Sequence, residues 1–286
     1  MVIIVNTLGG AVVLVVTLVN LDVSEFTIAP LLAKNLIYFF GHVFINASIY
    51  MSVIAVYELL PLYTKRPWKT SRPFLLSWVA ATFMVMAVYP HHLMLDAVMP
   101  PWMLIAGQVL SYMSGLPVVF VTAYTALLLV YKSGLEWQAP VRWLMLSIFG
   151  WAAGVIPAIV DGTLEVNQVM HNTMWVPGHF HFYLVVGLLP MIIGFSLHVL
   201  RARQQFNESL HRVVFWLYAT GAILFSLAFL AGGWASVPRR WAHHWEQWTG
   251  YDRVGALSAV VVIAAMFLVA LSVLRRSGDR IAAGNR

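Results

Sequence analysis

Long apolar runs separated by short polar loops dominate this chain. Stretches long enough to cross a bilayer as helices fall near residues 1–21, 32–61, 74–97, 102–131, 141–162, 174–200, 211–236 and 254–274. The pattern predicts an all-α integral membrane protein of about eight transmembrane helices, forming a single transmembrane domain over residues 1–286. No repeat or low-complexity segment stands out, and no soluble domain fits between the spans. From Arg275 onward the chain reads as a short polar tail. The first run, Val2 to Leu21, has no basic leader and no small-residue cleavage site, so it is read as a membrane span and not as a signal peptide.

Composition strengthens that reading. Apolar residues make up 61% of the 286 and charged residues only 10%, whereas soluble domains sit near half and a quarter. Aromatics reach 14%, with 12 Trp, as interfacial belts demand. The absence of cysteine excludes disulfides, thiolate zinc sites and iron–sulfur clusters within this chain. A formal charge of +6 does not point to nucleic acid, because the basic residues are spread over short loops. Lys65, Arg66, Lys69 and Arg72 follow the second span, Lys132 and Arg142 flank the loop after the fourth, Arg201, Arg203 and Arg212 follow the sixth, and Arg275, Arg276, Arg280 and Arg286 follow the eighth. The opposite loops hold only Lys34, Arg239, Arg240 and Arg253. By the positive-inside rule, both termini are expected on the cytoplasmic side of the cell membrane.

Ionisable side chains inside spans are costly and point to function. On the predicted spans, His42, His91, His92, His179 and His181 all fall roughly 8–15 Å below the outer face at the helical rise. Three separate helices would thus present imidazoles at one depth. The neighbours His91 and His92 can both turn toward one metal, with His42 as third ligand; three imidazoles and an open position suit copper. His179 and His181 are about 200° apart around a helix, so they cannot share a metal. Each can ligate a different planar cofactor, and haem fits. A lone buried histidine is more often a hydrogen-bonded core residue, but a vicinal pair and an H-x-H at matched depth weigh against that. His198, His211, His243 and His244 read as solvated or snorkelling side chains.

These residues carry a resemblance. His171-Asn172-Thr173-Met174-Trp175-Val176-Pro177-Gly178-His179-Phe180-His181 resembles the haem-ligand segment of haem–copper oxidase subunit I, closest in wording to the B-type branch. Tyr89-Pro90-His91-His92 resembles the paired copper-B histidines, and Gly41-His42 the glycine–histidine supplying the third copper ligand. Val237-Pro238-Arg239-Arg240 resembles the outer-loop arginine pair that holds haem propionates. The likeness runs from about residue 15 to the last span. It implies copper B on His42, His91 and His92, a high-spin haem on His179 facing that copper, a low-spin haem on His181, and propionate pairing by Arg239 and Arg240. Arginine forks suit carboxylates. His171 and Asn172 would sit near the high-spin haem propionates, although a simple capping role for Asn172 stands equally open. Phe180 would pack against both macrocycles.

Two departures shape the expected function. The family normally has twelve or more spans, and residues 1–41 contain no histidine. The second axial ligand of the low-spin haem is therefore expected from outside this chain, either from a second polypeptide that supplies the missing N-terminal helices or because the chain is truncated. Without cysteine, a dinuclear copper electron-entry port must also lie on a partner, such as a subunit II-like protein or cytochrome c. Second, position 46 is Asn, where B-type oxidases usually carry a tyrosine tied to the copper histidine. That tyrosine supplies a proton and an electron when O–O breaks; an amide supplies neither. Tyr50 is two turns on, about 12 Å away, too far to replace it. The expectation therefore leans to nitric oxide as the small gas substrate, reduced to N2O, with an O2-reducing cytochrome c oxidase subunit I as the alternative and a non-catalytic remnant as the other. A histidine-relay transporter would not explain an H-x-H facing two ways. Protons are expected from the outer side near His171 or from inside by way of Tyr57, with Asn46 orienting a water or intermediate. Asp161 and Glu165, on the outer loop, are candidates for proton exit or entry, with a solvated loop acid as the preferred reading.

Overall fold

A computed structural model describes residues 2–23, 25–95, 99–202 and 206–284, with side chains as far as Leu274. Among these residues the chain is helical with no strands. The helices are α1 (Val2–Asp22), α2 (Pro30–Ser52), α3 (Ile54–Thr64), α4 (Arg72–Met84), α5 (Pro101–Val130), α6 (Ala139–Asp161), α7 (Leu164–Met170), α8 (Trp175–His181), α9 (Leu189–Arg201), α10 (Glu208–Trp234) and α11 (Thr249–Gly284). Seven helical stretches among the described residues are long and apolar enough to cross a membrane: Val2–Asp22, Pro30–Thr64, Pro101–Val130, Ala139–Asp161, Trp175–Arg201, Glu208–Trp234 and Glu246–Leu274. They match seven of the eight predicted spans to within a few residues, except that the eighth begins earlier. The loop residue Arg203 and the terminal Arg286 lie outside the described residues.

The third predicted span, 74–97, is the exception. It is a 13-residue helix, α4, begun by Ser71, whose hydroxyl accepts the Phe74 N–H at 3.3 Å. The chain then turns and winds one 3₁₀ segment, Tyr89–Leu93. Pro90 lacks the N–H that an α-helix would bond to residue 86, so the tighter winding takes over just where the vicinal histidines sit. Hydropathy registers the apolar run but not this change of winding.

The long second span also has a break, at the fully buried Val53. Its carbonyl accepts both the Val56 N–H (2.9 Å) and the Tyr57 N–H (3.3 Å), a tightened turn that joins α2 to α3.

By backbone contact the chain divides into two compact units. The first comprises Met1–Met51, Lys69–Thr122 and Ala158–His171; the second comprises Ser52–Trp68, Ala123–Pro157 and Asn172–Arg286. The core of the second unit gathers Trp143, Phe182, Val186, Leu197, Tyr218, Ala222, Val262 and Ala265. Within it, α8 runs into a π-helical segment, Phe182–Leu188, before α9. Leu189 donates its N–H to Leu184, five residues back. The next such donor would be Pro190, which has no N–H. The Val185 carbonyl left over is taken by the hydroxyl of the fully buried Tyr218 at 2.7 Å. The widened turn is thus fixed by one proline and one tyrosine.

Candidate metal centre

In the first unit, α2 and the 3₁₀ segment bring His42, His91 and His92 together. One nitrogen from each ring lies within 4.8 Å of the others. His42 Nδ1 is 3.2 Å from His92 Nε2, and His91 Nε2 is 3.0 Å from the same atom. The 3₁₀ winding sets consecutive side chains about 120° apart, and both rings still reach the same point. Three part-buried imidazoles with no carboxylate among them fit a borderline-soft cation with an open position, copper or zinc.

Each ring has a further support. The Asn46 amide Nδ2 lies 3.1 Å from His42 Nε2 and donates to the His42 carbonyl at 2.9 Å. His91 Nδ1 meets the Ser111 hydroxyl at 2.7 Å. The His92 ring stacks on Tyr38, centroids 5.1 Å apart and 10° from parallel. The 3₁₀ segment itself is anchored by Tyr89, whose hydroxyl donates to Asn35 at 3.1 Å. Sequence reasoning missed Ser111, Tyr38 and Asn35, and named Tyr89 only as part of the histidine motif. Ser111 and Tyr38 carry no motif, although Asn35, Tyr38 and His42 do share one helical stripe.

In the second unit, His179 and His181 both lie on α8. His181 Nδ1 donates to the Pro177 carbonyl at 2.5 Å. That bond directs the proton to Nδ1 and the lone pair to Nε2, the tautomer that an iron ligand needs. The edges of Phe225 and Phe229, 4.9 and 5.2 Å away, flank the ring. His179 meets Tyr183 edge-on at 6.2 Å. A neutral, ring-walled imidazole with its outer nitrogen supported fits an axial haem ligand. Phe180, between the two, is 38% exposed.

The arginine pair is held by a small ladder. Met174 donates to the Val237 carbonyl (2.8 Å), Arg239 donates to the Asn172 carbonyl (3.0 Å), and Thr173 pairs with Pro238. Gly233 permits the approach, since a Cβ there would lie 2.1 Å from the Trp175 backbone nitrogen. Arg239 is half-buried; Arg240 is exposed, with φ +70°. His244 closes the loop from the other side. Its Nδ1 faces both carboxylate oxygens of Asp252 at 2.8 and 2.9 Å, and its Nε2 faces the Pro238 carbonyl at 3.0 Å. This residue was read as solvated, and the structure instead makes it a brace. His211 is likewise corrected: it is 3% exposed, with Nε2 3.4 Å from Ser272. His198 is bonded to the Tyr63 hydroxyl at 2.8 Å. His243 is exposed, as expected.

Of the remaining candidates, His171 ends α7 and is half-buried, and Asn172 is exposed. Tyr57 lies on α3, beyond the Val53 break, with its ring 4.6 Å from Trp68. Glu165 is exposed, whereas Asp161 is only 9% exposed and accepts the Asn167 amide at its backbone (2.6 Å) and side chain (3.3 Å). It is not a solvated loop acid.

Residues 1–267 match the family model of the cytochrome c and quinol oxidase polypeptide I. The chain belongs to this family. Among its curated relatives are cytochrome c oxidase subunit 1 of Cereibacter sphaeroides, 24% identical over 97% of this chain and 50% of the relative, and cytochrome c oxidase polypeptide 1 of Halobacterium salinarum, 21% identical over 96% and 47%. The chain spans about half the length of the curated relatives it matches. A haem–copper terminal oxidase dimer solved by cryo-electron microscopy shares the fold, with TM-score 0.77 at 20% identity, covering 96% of this chain and 56% of that one. The apolar helices make this a multi-pass membrane protein.

Proposed function

We propose that this chain carries the metal-binding part of a respiratory haem–copper reductase in the cell membrane. Copper B is held by His42, His91 and His92, a high-spin haem by His179, and a low-spin haem by His181, whose second axial ligand comes from outside residues 1–286. The observation that carries this reading is the convergence of three imidazole nitrogens within 4.8 Å. Zinc would suit the same donors but is redox-inert, so a reductase requires copper. When bound, the haems and copper supply the electrons and the point at which a diatomic gas is reduced. Arg239 and Arg240 pair with haem propionates, their loop fixed by the ladder to Asn172–Met174 and by His244. Both termini face the cytoplasm, and the metal ligands sit nearer the outer face, where a subunit II-like or cytochrome c donor delivers electrons. All the spans then form one transmembrane domain.

The finer proposal is that the gas is nitric oxide. Two NO, two electrons and two protons give N2O and water, with an N–N bond formed and one N–O bond broken. Splitting O2 at such a site draws an additional electron and proton from a nearby group, and the Asn46 amide beside His42 can only exchange hydrogen bonds. Asn46 orients water or a bound intermediate, while His171 on the outer side or Tyr57 on the inner side passes protons. The names of the relatives favour the second reading, an O2-reducing oxidase.

The test uses native membranes containing the complex. N2O formation from NO in a two-electron stoichiometry is expected, with two haems and one copper per complex. Robust cyanide-sensitive O2 uptake with no N2O overturns the nitric oxide assignment. A complex with one haem or none, and no copper, overturns the enzyme assignment and leaves a non-catalytic remnant.

A further inference from the structure

We propose that Ser111 is a positioning residue for the copper: its hydroxyl dictates which nitrogen of His91 faces the metal. The proposal rests on the copper reading above. Ser111 lies on α5, and its hydroxyl donates to the Gly107 carbonyl, one turn back, at 2.6 Å. A hydroxyl has a single hydrogen, so toward His91 Nδ1, 2.7 Å away, the oxygen can only accept. The proton of a neutral His91 is therefore held on Nδ1, and Nε2 keeps its lone pair. Nε2 is the nitrogen that faces the cluster, 3.0 Å from His92 Nε2.

Helix geometry makes this polarity robust. Serine in a helix interior readily donates to the carbonyl four residues back, so the direction of the relay is decided within α5 before the imidazole is considered. The backbone contact that permits it is tight. A Cβ on Gly107 would lie 3.2 Å from the His91 nitrogen and 3.4 Å from the Pro90 carbonyl carbon. Glycine at 107 lets α5 press against the 3₁₀ segment, and Ser111, four residues on and so on the same face, then reaches the imidazole with a short side chain.

The other two rings are held differently. The Asn46 Nδ2 also donates to the His42 carbonyl, so it faces His42 Nε2 as a donor and holds that ring's lone pair on the nitrogen turned from the cluster. The Tyr38 stack orients His92 without choosing a tautomer. Of these three contacts only that of Ser111 leaves the lone pair on the cluster-facing nitrogen, which makes His91 the ligand already poised for the metal. Partners of this kind typically change metal affinity 10–100-fold when removed.

The experiment compares S111T, S111V and S111A with the unaltered complex, purified from its own membranes. Thr and Val have nearly the same shape and differ in the hydroxyl, so the pair separates a hydrogen bond from a packing effect. Copper per complex is measured by mass spectrometry after dialysis against a graded series of a copper(I) chelator, with haem content read optically as the check on assembly. The expectation is that S111T holds copper as the unaltered complex does. S111V and S111A should release it at roughly 10–100-fold lower chelator, with both haem spectra unchanged. Equal copper retention by S111T and S111V overturns the role of Ser111, whether both keep the metal or both lose it. An unaltered complex that holds its haems and no copper, or zinc in its place, refutes the copper reading itself and is a different result.

Discussion

The two histidine groups of this protein are built on opposite plans. His42, His91 and His92 come from two segments far apart in sequence, and polar or aromatic side chains steady each ring: Asn46, Ser111 and Tyr38. His179 and His181 come from a single helix, and the second is steadied by a backbone carbonyl and by phenylalanine edges from α10. The first plan can be altered one side chain at a time. The second depends on the path of the backbone, which here includes a π-helical turn directly after His181.

Removing a metal ligand should give the largest effect. H91A is expected to abolish copper in the purified complex while both haems remain visible in the reduced-minus-oxidised spectrum. If H91A also removes both haems, the two groups are not separately editable and the contrast fails. Next, H181A should delete the low-spin haem signal and spare copper, as judged by optical spectrum and metal analysis together; loss of copper as well would again break the distinction.

The backbone plan is sharpened by Y218F. Without the hydroxyl, the Val185 carbonyl left over by Pro190 loses its partner in a buried site. That should cost about 1–3 kcal/mol in the thermal or detergent-induced unfolding of the complex, with copper content unchanged. No change in stability would mean the π-helical turn does not depend on Tyr218. The smallest effect is expected from H244N, which disrupts the brace between Pro238 and Asp252. With the side chain of Asp252 40% exposed, the loss should be about 1 kcal/mol or less. It should appear as faster hydrogen exchange in residues 237–244 and leave copper untouched.

Much of this was legible in the sequence. Seven spans could be read from hydropathy, because a helix in lipid must bring enough apolar length to cross it. The histidine groups were legible because vicinal and alternate spacings have few chemical uses inside a membrane. The winding within the third span was missed because hydropathy measures composition, and α4 stops while the apolar run continues. His244, His211 and Asp161 were misread because the folded path of the chain sets their surroundings: a short loop returns Asp252 and Pro238 to the first, and α11 brings Ser272 to the second. For the third it is the burial of the α6 end beside Asn167.

The sequence by itself determined an all-helical membrane protein, the identity of its candidate ligands and the amide at position 46, since these follow from length, polarity and spacing along one chain. Only the tertiary structure decided that three imidazoles meet within 4.8 Å, and that the Ser111 hydroxyl of α5 lies 2.7 Å from His91 Nδ1. A hydrogen-bonded tautomer depends on the position of an atom about 3 Å away, and a linear pattern does not record that distance.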